Sequence, residues 1–132
     1  MTAPVLLDAS CVLAWLFEEP GAELIDPVLS TSYITAVNMA EVITKVERLT
    51  GQGQGCADDL VEAGMTVIPV GWQEISVVAS VRQQELTLPR TAALSLGDAL
   101  CISVAVSHQM EFWTADRTWA HLDLPIAISL IR

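Results

Sequence analysis

The sequence has 132 residues, of which 52% are hydrophobic and 17% charged, so we expect a single folded domain over residues 1–132 and no intrinsic disorder. Sixteen acidic residues against six basic ones give a formal net charge of −10, which argues against a broad basic surface for nucleic acid. Neither an uncharged bilayer-length apolar run nor a basic segment before the first apolar stretch is present, and we expect a cytoplasmic protein.

The cysteines and histidines do not indicate a zinc site. Cys11, Cys56 and Cys101 lack a metal-type spacing such as C-x-x-C, and Cys11 and Cys101 lie among apolar neighbours, as small core residues do. His108 and His121 are too isolated to predict a ligand set.

In the first half of the chain, the pattern predicts a strand over residues 5–7, helices over 11–19 and 22–29, a strand over 32–36 and a helix over 38–49. The polar, glycine-rich stretch 50–56 invites comparison with a phosphate-binding loop. It follows a helix, however, and no G-K-[ST] appears, so we predict a helix–helix loop.

In the second half, the predicted elements are a helix over 57–63, a strand over 65–70, a long helix over 72–85, a loop over 86–95, a deeply buried apolar helix over 96–109, a strand over 111–116, a turn or short helix over 117–122 and a strand over 126–131. Apolar strands that alternate with helices predict an α/β fold whose parallel sheet is covered on both faces.

Four acids lie where strands end or helices begin. Asp8 follows the first strand, Glu41 is placed in the first turn of the helix after the second strand, Asp98 opens the buried helix, and Asp116 ends the fourth strand. In an open parallel sheet these positions share one edge, where ligands bind. Buried carboxylates side by side raise one another's pKa or require a cation, and an all-oxygen donor set suits magnesium or manganese.

Helix capping is the alternative role for each acid taken singly. Asn38 with Glu41, and Ser95 with Asp98, have the spacing of capping boxes. Asp116 could cap the segment 117–122, and Asp8 or Ser10 could cap the first helix.

The segments "VLLDASCVLAWLFEEP", "AVNMAEV", "LSLGDALCISVA" and "FWTADRTW", in this order, resemble those of PIN-domain proteins, and most closely the VapC-type toxins of bacterial toxin–antitoxin pairs. The resemblance covers essentially the whole chain. It implies a PIN-like α/β/α sandwich with a five-stranded parallel sheet in the order 3-2-1-4-5. It also implies Mg²⁺- or Mn²⁺-dependent hydrolysis of RNA phosphodiester bonds, neutralisation by a VapB-like antitoxin, and a homodimer.

Carried over by position, the resemblance assigns the catalytic and metal-binding roles to Asp8, Glu41, Asp98 and Asp116. Ser10 and Thr114 match hydroxyl positions that support the site, although both could be plain caps or turn residues. Because Lys45, Arg48, Arg82, Arg90 and Arg117 are almost all of the basic residues, substrate affinity must rest on few contacts. Arg117 is our candidate substrate contact, with a surface salt bridge as the alternative.

For the antitoxin, we expect a basic tail across residues 9–25 that places a cation near Asp8 and Asp98. Trp15, Leu24 and Ile25 could form the apolar surface for an amphipathic helix, or pack in the core.

Two functions other than a ribonuclease toxin are considered. A PIN-like binding module would keep the acids without nuclease activity. A phosphate-accepting regulator of the receiver type would have two acids after one strand and a lysine at the end of the last strand, which here ends "SLIR".

Overall fold

The computed structural model describes residues 4–87 and 93–132, which form an α/β fold. Its sheet contains five parallel strands, in the order β3-β2-β1-β4-β5: β1 (Val5–Leu7), β2 (Tyr33–Thr35), β3 (Thr66–Ile68), β4 (Glu111–Thr114) and β5 (Ile128–Leu130). The predicted fold class and strand order are confirmed.

Seven α-helices lie among the described residues: α1 (Ala9–Leu16), α2 (Ala22–Ile25), α3 (Ala36–Thr50), α4 (Gly53–Glu62), α5 (Trp72–Ile75), α6 (Val78–Glu85) and α7 (Leu96–His108). Short 3-10 helices occupy Leu29–Thr31 and Arg117–His121. No helix in the described ranges is long and apolar enough to cross a membrane.

The central strand β1 separates two hydrophobic clusters, because successive side chains of a strand point to opposite faces. Leu7 packs with residues of α1, α3 and α4, whereas Leu6 packs with Phe112 and with α7. Cys11 and Cys101 are fully buried, one in each cluster, as expected. Burial of α7 confirms the prediction from its apolar sequence.

Several predicted boundaries are wrong. The first helix starts at Ala9 and ends at Leu16, and Glu18 adopts a left-handed φ of 54° soon after it. The predicted helix over 22–29 is only Ala22–Ile25, followed by a 3-10 turn. Because α3 begins at Ala36, Glu41 lies in its second turn and not in its first. The predicted loop over 86–95 falls partly outside the described residues.

The predicted loop over 50–56 is largely helical, since α4 begins at Gly53. A Cβ atom on Gly53 would collide with the carbonyl oxygen of Ile43 in α3. This glycine therefore permits two helices to approach closely, which its local sequence does not reveal.

Candidate active site

The four predicted acids line one small cleft at the carboxyl edge of the sheet. Its volume is about 120 Å³, and Ala9, Ser10, Asn38 and Trp119 complete the lining. Asp8 joins β1 to α1, Glu41 projects from α3, Asp98 lies in the first turn of α7, and Asp116 follows β4. Four separate elements thus deliver carboxylates to the same place.

Asp8 is the most buried of these acids, with 5% of its surface exposed. The hydroxyl of Ser10 and the backbone N–H of Cys11 donate to its Oδ1, and the hydroxyl of Thr114 donates to its Oδ2 at 2.7 Å. Burial raises the pKa of Asp8, and these hydrogen bonds oppose that rise because they stabilise the ionised form.

The hydroxyls of Ser10 and Thr114 also link the ends of β1 and β4. The Ser10 hydroxyl accepts from the Ala115 N–H at 3.0 Å, and the Thr114 hydroxyl accepts from the Asp116 N–H at 3.0 Å. Each hydroxyl therefore both donates to Asp8 and accepts from the backbone that leads to Asp116. This arrangement fixes the Asp8 carboxylate relative to the far side of the cleft.

Asp98 is half-buried and forms a capping box with Ser95 at the start of α7. Burial raises the pKa of Asp98, and the negative charge of Asp116 raises it further, whereas the hydrogen bonds with Ser95 lower it. The predicted capping box is confirmed. The repulsion between Asp98 and Asp116 shows that the cleft concentrates negative charge.

Capping is likewise confirmed for Asp8, which receives the Cys11 N–H of α1, and for Asp116, which receives the Thr118 N–H of the following 3-10 helix. The predicted capping box of Asn38 and Glu41 is wrong. Thr35 caps α3 by accepting from the Asn38 N–H, and the exposed Glu41 side chain accepts no hydrogen bond within the described residues.

Asn38 is the residue of the cleft whose role the sequence did not reveal. It is 3% exposed, its Oδ1 accepts from the Ala9 N–H at 2.8 Å, and its Nδ2 donates to Thr35 at 3.2 Å. It thus connects the start of α1, directly after Asp8, with the start of α3. Its signal in the sequence is its helical position, one residue before the buried Met39 and three before Glu41.

The donor chemistry of the cleft fits a hard divalent cation, because four carboxylates supply oxygen ligands and two of them are partly desolvated. In residues 4–87 and 93–132, no three His, Cys, Asp or Glu side chains converge into a preformed ligand group.

Two of the basic side chains, Arg82 and Arg132, have acidic partners, whereas Arg117 has none within the described residues. Arg82 pairs with Glu85, and Arg132 lies 3.5 Å from Glu19. Arg117 is exposed beside the cleft and forms no ion pair within the described part of the chain, which disfavours the salt-bridge alternative there.

An apolar groove of about 740 Å³ lies between α1, α3 and α4, and its lining includes Trp15, Leu16, Val46, Cys56 and Leu60. Trp15 is half-buried and its indole N–H donates to Asp26 at 3.0 Å.

Two other residues of the expected apolar surface differ from each other. Leu24 is 47% exposed, as that surface requires, but Ile25 is fully buried in the core, so including Ile25 in an exposed surface was wrong.

Comparison with known proteins identifies relatives by family and by fold. A sequence model of the PIN domain matches residues 5–124. A DNA-bound VapBC from Salmonella typhimurium is similar over 99% of this chain and 100% of its own, with 14% identity and a TM-score of 0.75. A toxin–antitoxin complex from Klebsiella pneumoniae (17% identity, TM-score 0.77) covers 97% of this chain and 98% of its own. FitAcB from Neisseria gonorrhoeae is similar over 96% of this chain and 97% of its own, with 20% identity and a TM-score of 0.69. The search of curated proteins gave no match.

Proposed function

The chain belongs to the PIN domain family, and we propose that it is a VapC-type endoribonuclease toxin that depends on Mg²⁺ or Mn²⁺ and is neutralised by a cognate antitoxin. PIN domains are generally nucleases and generally use divalent metal ions. The RNA substrate, the metal and the antitoxin are our proposals for this chain.

The observation that carries the proposal is that Asp8, Glu41, Asp98 and Asp116, which come from four separate elements, all line one cleft. Acids that served only as helix caps would not need to line the same cleft. Two of these carboxylates have raised pKa values because of burial, and in one of them the neighbouring acid adds to the effect. A bound cation would stabilise the ionised form of these carboxylates.

In the proposed site, Asp8 and Asp98 would hold the cation, and Glu41 and Asp116 would complete the acidic wall. When bound, the ion would supply an activated water and stabilise negative charge on the phosphate. Ser10 and Thr114 orient Asp8 through their hydrogen bonds and oppose the rise in its pKa that burial causes. Arg117, exposed next to Asp116, is positioned to contact a phosphate of the substrate.

For the partner, we propose an antitoxin whose amphipathic helix occupies the apolar groove and whose basic tail reaches the acidic cleft. Trp15 and Leu16 of α1 line the groove, so it includes part of the region 9–25 across which we expect the antitoxin to lie. The net charge of −10 favours a basic partner. The similar Salmonella and Klebsiella structures are themselves toxin–antitoxin complexes. Homodimerisation remains an expectation from the resemblance.

The proposal is tested with Asp98→Asn, using Asp123→Asn as the matched control. Asp123 is exposed and does not line the cleft, so both variants remove one carboxylate and only one of them alters the site. Asn can still accept the Ser95 N–H, and removal of a partly desolvated charge offsets the lost interaction with the helix dipole. We expect Asp98→Asn to unfold at an unchanged or higher temperature.

RNA cleavage in manganese should disappear in Asp98→Asn and persist in Asp123→Asn, as measured by gel analysis of purified protein with labelled RNA. Strong destabilisation of Asp98→Asn with retained cleavage would show that Asp98 is structural. A wild-type protein that binds manganese and the antitoxin but cleaves no RNA would support the binding-module alternative.

A further inference from the structure

A second cleft adjoins the acidic one and differs from it in charge. It has a volume of about 350 Å³, and we call it the basic groove: Ser10, Leu13 and Phe17 of the α1 side, Glu19 after α1, Lys45 and Leu49 of α3, and Arg132 after β5. Ser10 lines both clefts, so the two lie next to each other at this residue.

The basic groove gathers two of the six basic residues of a chain whose net charge is −10. Lys45 is exposed and forms no ion pair within the described residues, while Arg132 shares the groove with the half-exposed Glu19, 3.5 Å away. Lys45 lies four residues after Glu41, on the same side of α3. Because Glu19 and the Pro20 carbonyl engage Arg132, Lys45 is the cation that this groove offers next to the acidic cleft.

The groove also offers an aromatic surface. Phe17 is 39% exposed at the end of α1, and Leu49 is 70% exposed across from it on α3. A cationic groove with an accessible aromatic ring is the arrangement by which proteins bind single-stranded nucleic acid, the cations meeting phosphates and the ring stacking on a base. Lys45, which has no ion pair among the described residues, favours a phosphate over a basic antitoxin tail, and the Phe17 ring offers a surface on which a base can stack.

We propose that the basic groove binds the single-stranded RNA segment next to the cleaved bond, with Lys45 on a backbone phosphate and Phe17 under a base. The strand then continues past Ser10, and the adjoining phosphodiester reaches the acidic cleft. This assignment rests on the proposed ribonuclease function and names the side from which the substrate enters.

The test compares Lys45→Gln with Arg48→Gln. Both residues are exposed cations of α3, and Arg48 does not line the groove, so each variant removes one positive charge from the same helix. Binding of a fluorescein-labelled single-stranded RNA of random sequence is followed by anisotropy, in a chelator that prevents cleavage, over a range of salt concentrations. Thermal melts verify that both variants fold.

We expect Lys45→Gln to weaken binding about five-fold, as for one lost charge pair at a surface. Its salt dependence should fall by about 0.7 in log–log slope, the value for one phosphate contact on a single strand. Arg48→Gln should match the wild type in both measurements. Phe17→Leu, which keeps an apolar side chain but loses the ring face, should also weaken binding.

Equal behaviour of Lys45→Gln and Arg48→Gln, or no RNA binding by the wild type, would overturn the proposal. The proposal would also fail if Lys45→Gln lost affinity for a basic tail peptide and kept its affinity for RNA, because the groove would then be a peptide site. Parallel assays in manganese separate the two proposals. Lys45-dependent binding without any cleavage removes the ribonuclease function alone, whereas cleavage with an unchanged KM in Lys45→Gln removes the groove assignment alone.

Discussion

The hydrogen bond from Thr114 to Asp8 makes the stability of this fold depend on pH in a calculable way. Thr114 is fully buried, and its hydroxyl donates to Asp8 at 2.7 Å and accepts from the Asp116 N–H at 3.0 Å. Thr114→Val preserves the shape of the side chain but removes both interactions. A hydrogen bond to a charged group contributes about 1.5–3 kcal/mol, and one between neutral groups about 0.5–1.5 kcal/mol. We therefore expect Thr114→Val to lower the free energy of unfolding by about 2–4 kcal/mol at neutral pH.

The loss of stability caused by Thr114→Val should be smaller at acidic pH. Burial raises the pKa of Asp8 in the folded state, and the Thr114 hydrogen bond partly opposes this, so its removal raises the pKa further. An acid with a raised folded-state pKa destabilises the native state fully above that pKa and not at all below its unfolded value. The difference between the two proteins should thus be largest at neutral pH. It should decline as the pH falls through the folded-state pKa of the variant and then that of the wild type.

Urea denaturation at a series of pH values measures this difference. Thr44→Val is the control, because the exposed Thr44 hydroxyl donates only to the Ala40 carbonyl, and its loss should cost less than about 0.5 kcal/mol at any pH. A Thr114→Val loss that is as small as this, or that stays constant into acid, would refute the reasoning about Asp8. The variant should also need about 10–100 times more manganese for the same rise in melting temperature, since Thr114 orients a proposed ligand.

Three further results are expected. Manganese at about 100 times its dissociation constant should stabilise the wild type by about 2.7 kcal/mol, and calorimetry that finds neither binding heat nor a thermal shift would contradict the metal site. Asn38→Ala leaves the buried Ala9 N–H without its acceptor, so it should lower the free energy of unfolding by about 1–3 kcal/mol in urea melts and also lower kcat. Gln54→Ala, which removes an exposed hydrogen bond, should change neither quantity. Manganese and a basic antitoxin tail peptide should each weaken the binding of the other in titration calorimetry; independent binding with full nuclease activity in the complex would exclude a blocked site.

Much of the sheet could be predicted from local sequence, because its strands are short apolar runs between clear breaks. β1 matches its predicted bounds of residues 5–7. The strand order could not be obtained this way and came from the resemblance to PIN domains, since nothing in a local pattern states which strands pair. The helix predicted over 72–85 shows the limit of periodicity. It divides after Ile75, where the Ser76 hydroxyl donates to the Gln73 carbonyl and so competes with the helical hydrogen bonds.

The positions of the four acids were also predictable, because the carboxyl ends of parallel strands share one edge. The hydrogen bonds that connect the elements of the site could not be predicted from the sequence. Thr114 meets Asp8 across 106 residues of sequence, and Asn38 meets Ala9 across 29. Such contacts depend on how β1, β2 and β4 come together, and Asn38 therefore resembled an ordinary helix cap until its long-range partner was visible.

Capping and metal binding are not alternatives for these acids, because a carboxylate has two oxygens. Asp98 receives the Ser95 N–H on Oδ2, and Asp116 receives Thr118 on Oδ1. Within the described residues, the other oxygen of each accepts no hydrogen bond and is free to face the cleft. The caps thus fix the carboxylates before any cation arrives, in a place where burial, and to a smaller extent the charge of Asp116, raises the pKa of Asp98. Asp8 differs, since both its oxygens are engaged, and its hydroxyl donors would have to share it with a bound ion. This difference is why Thr114 and Ser10, and not the caps, should set the affinity for metal.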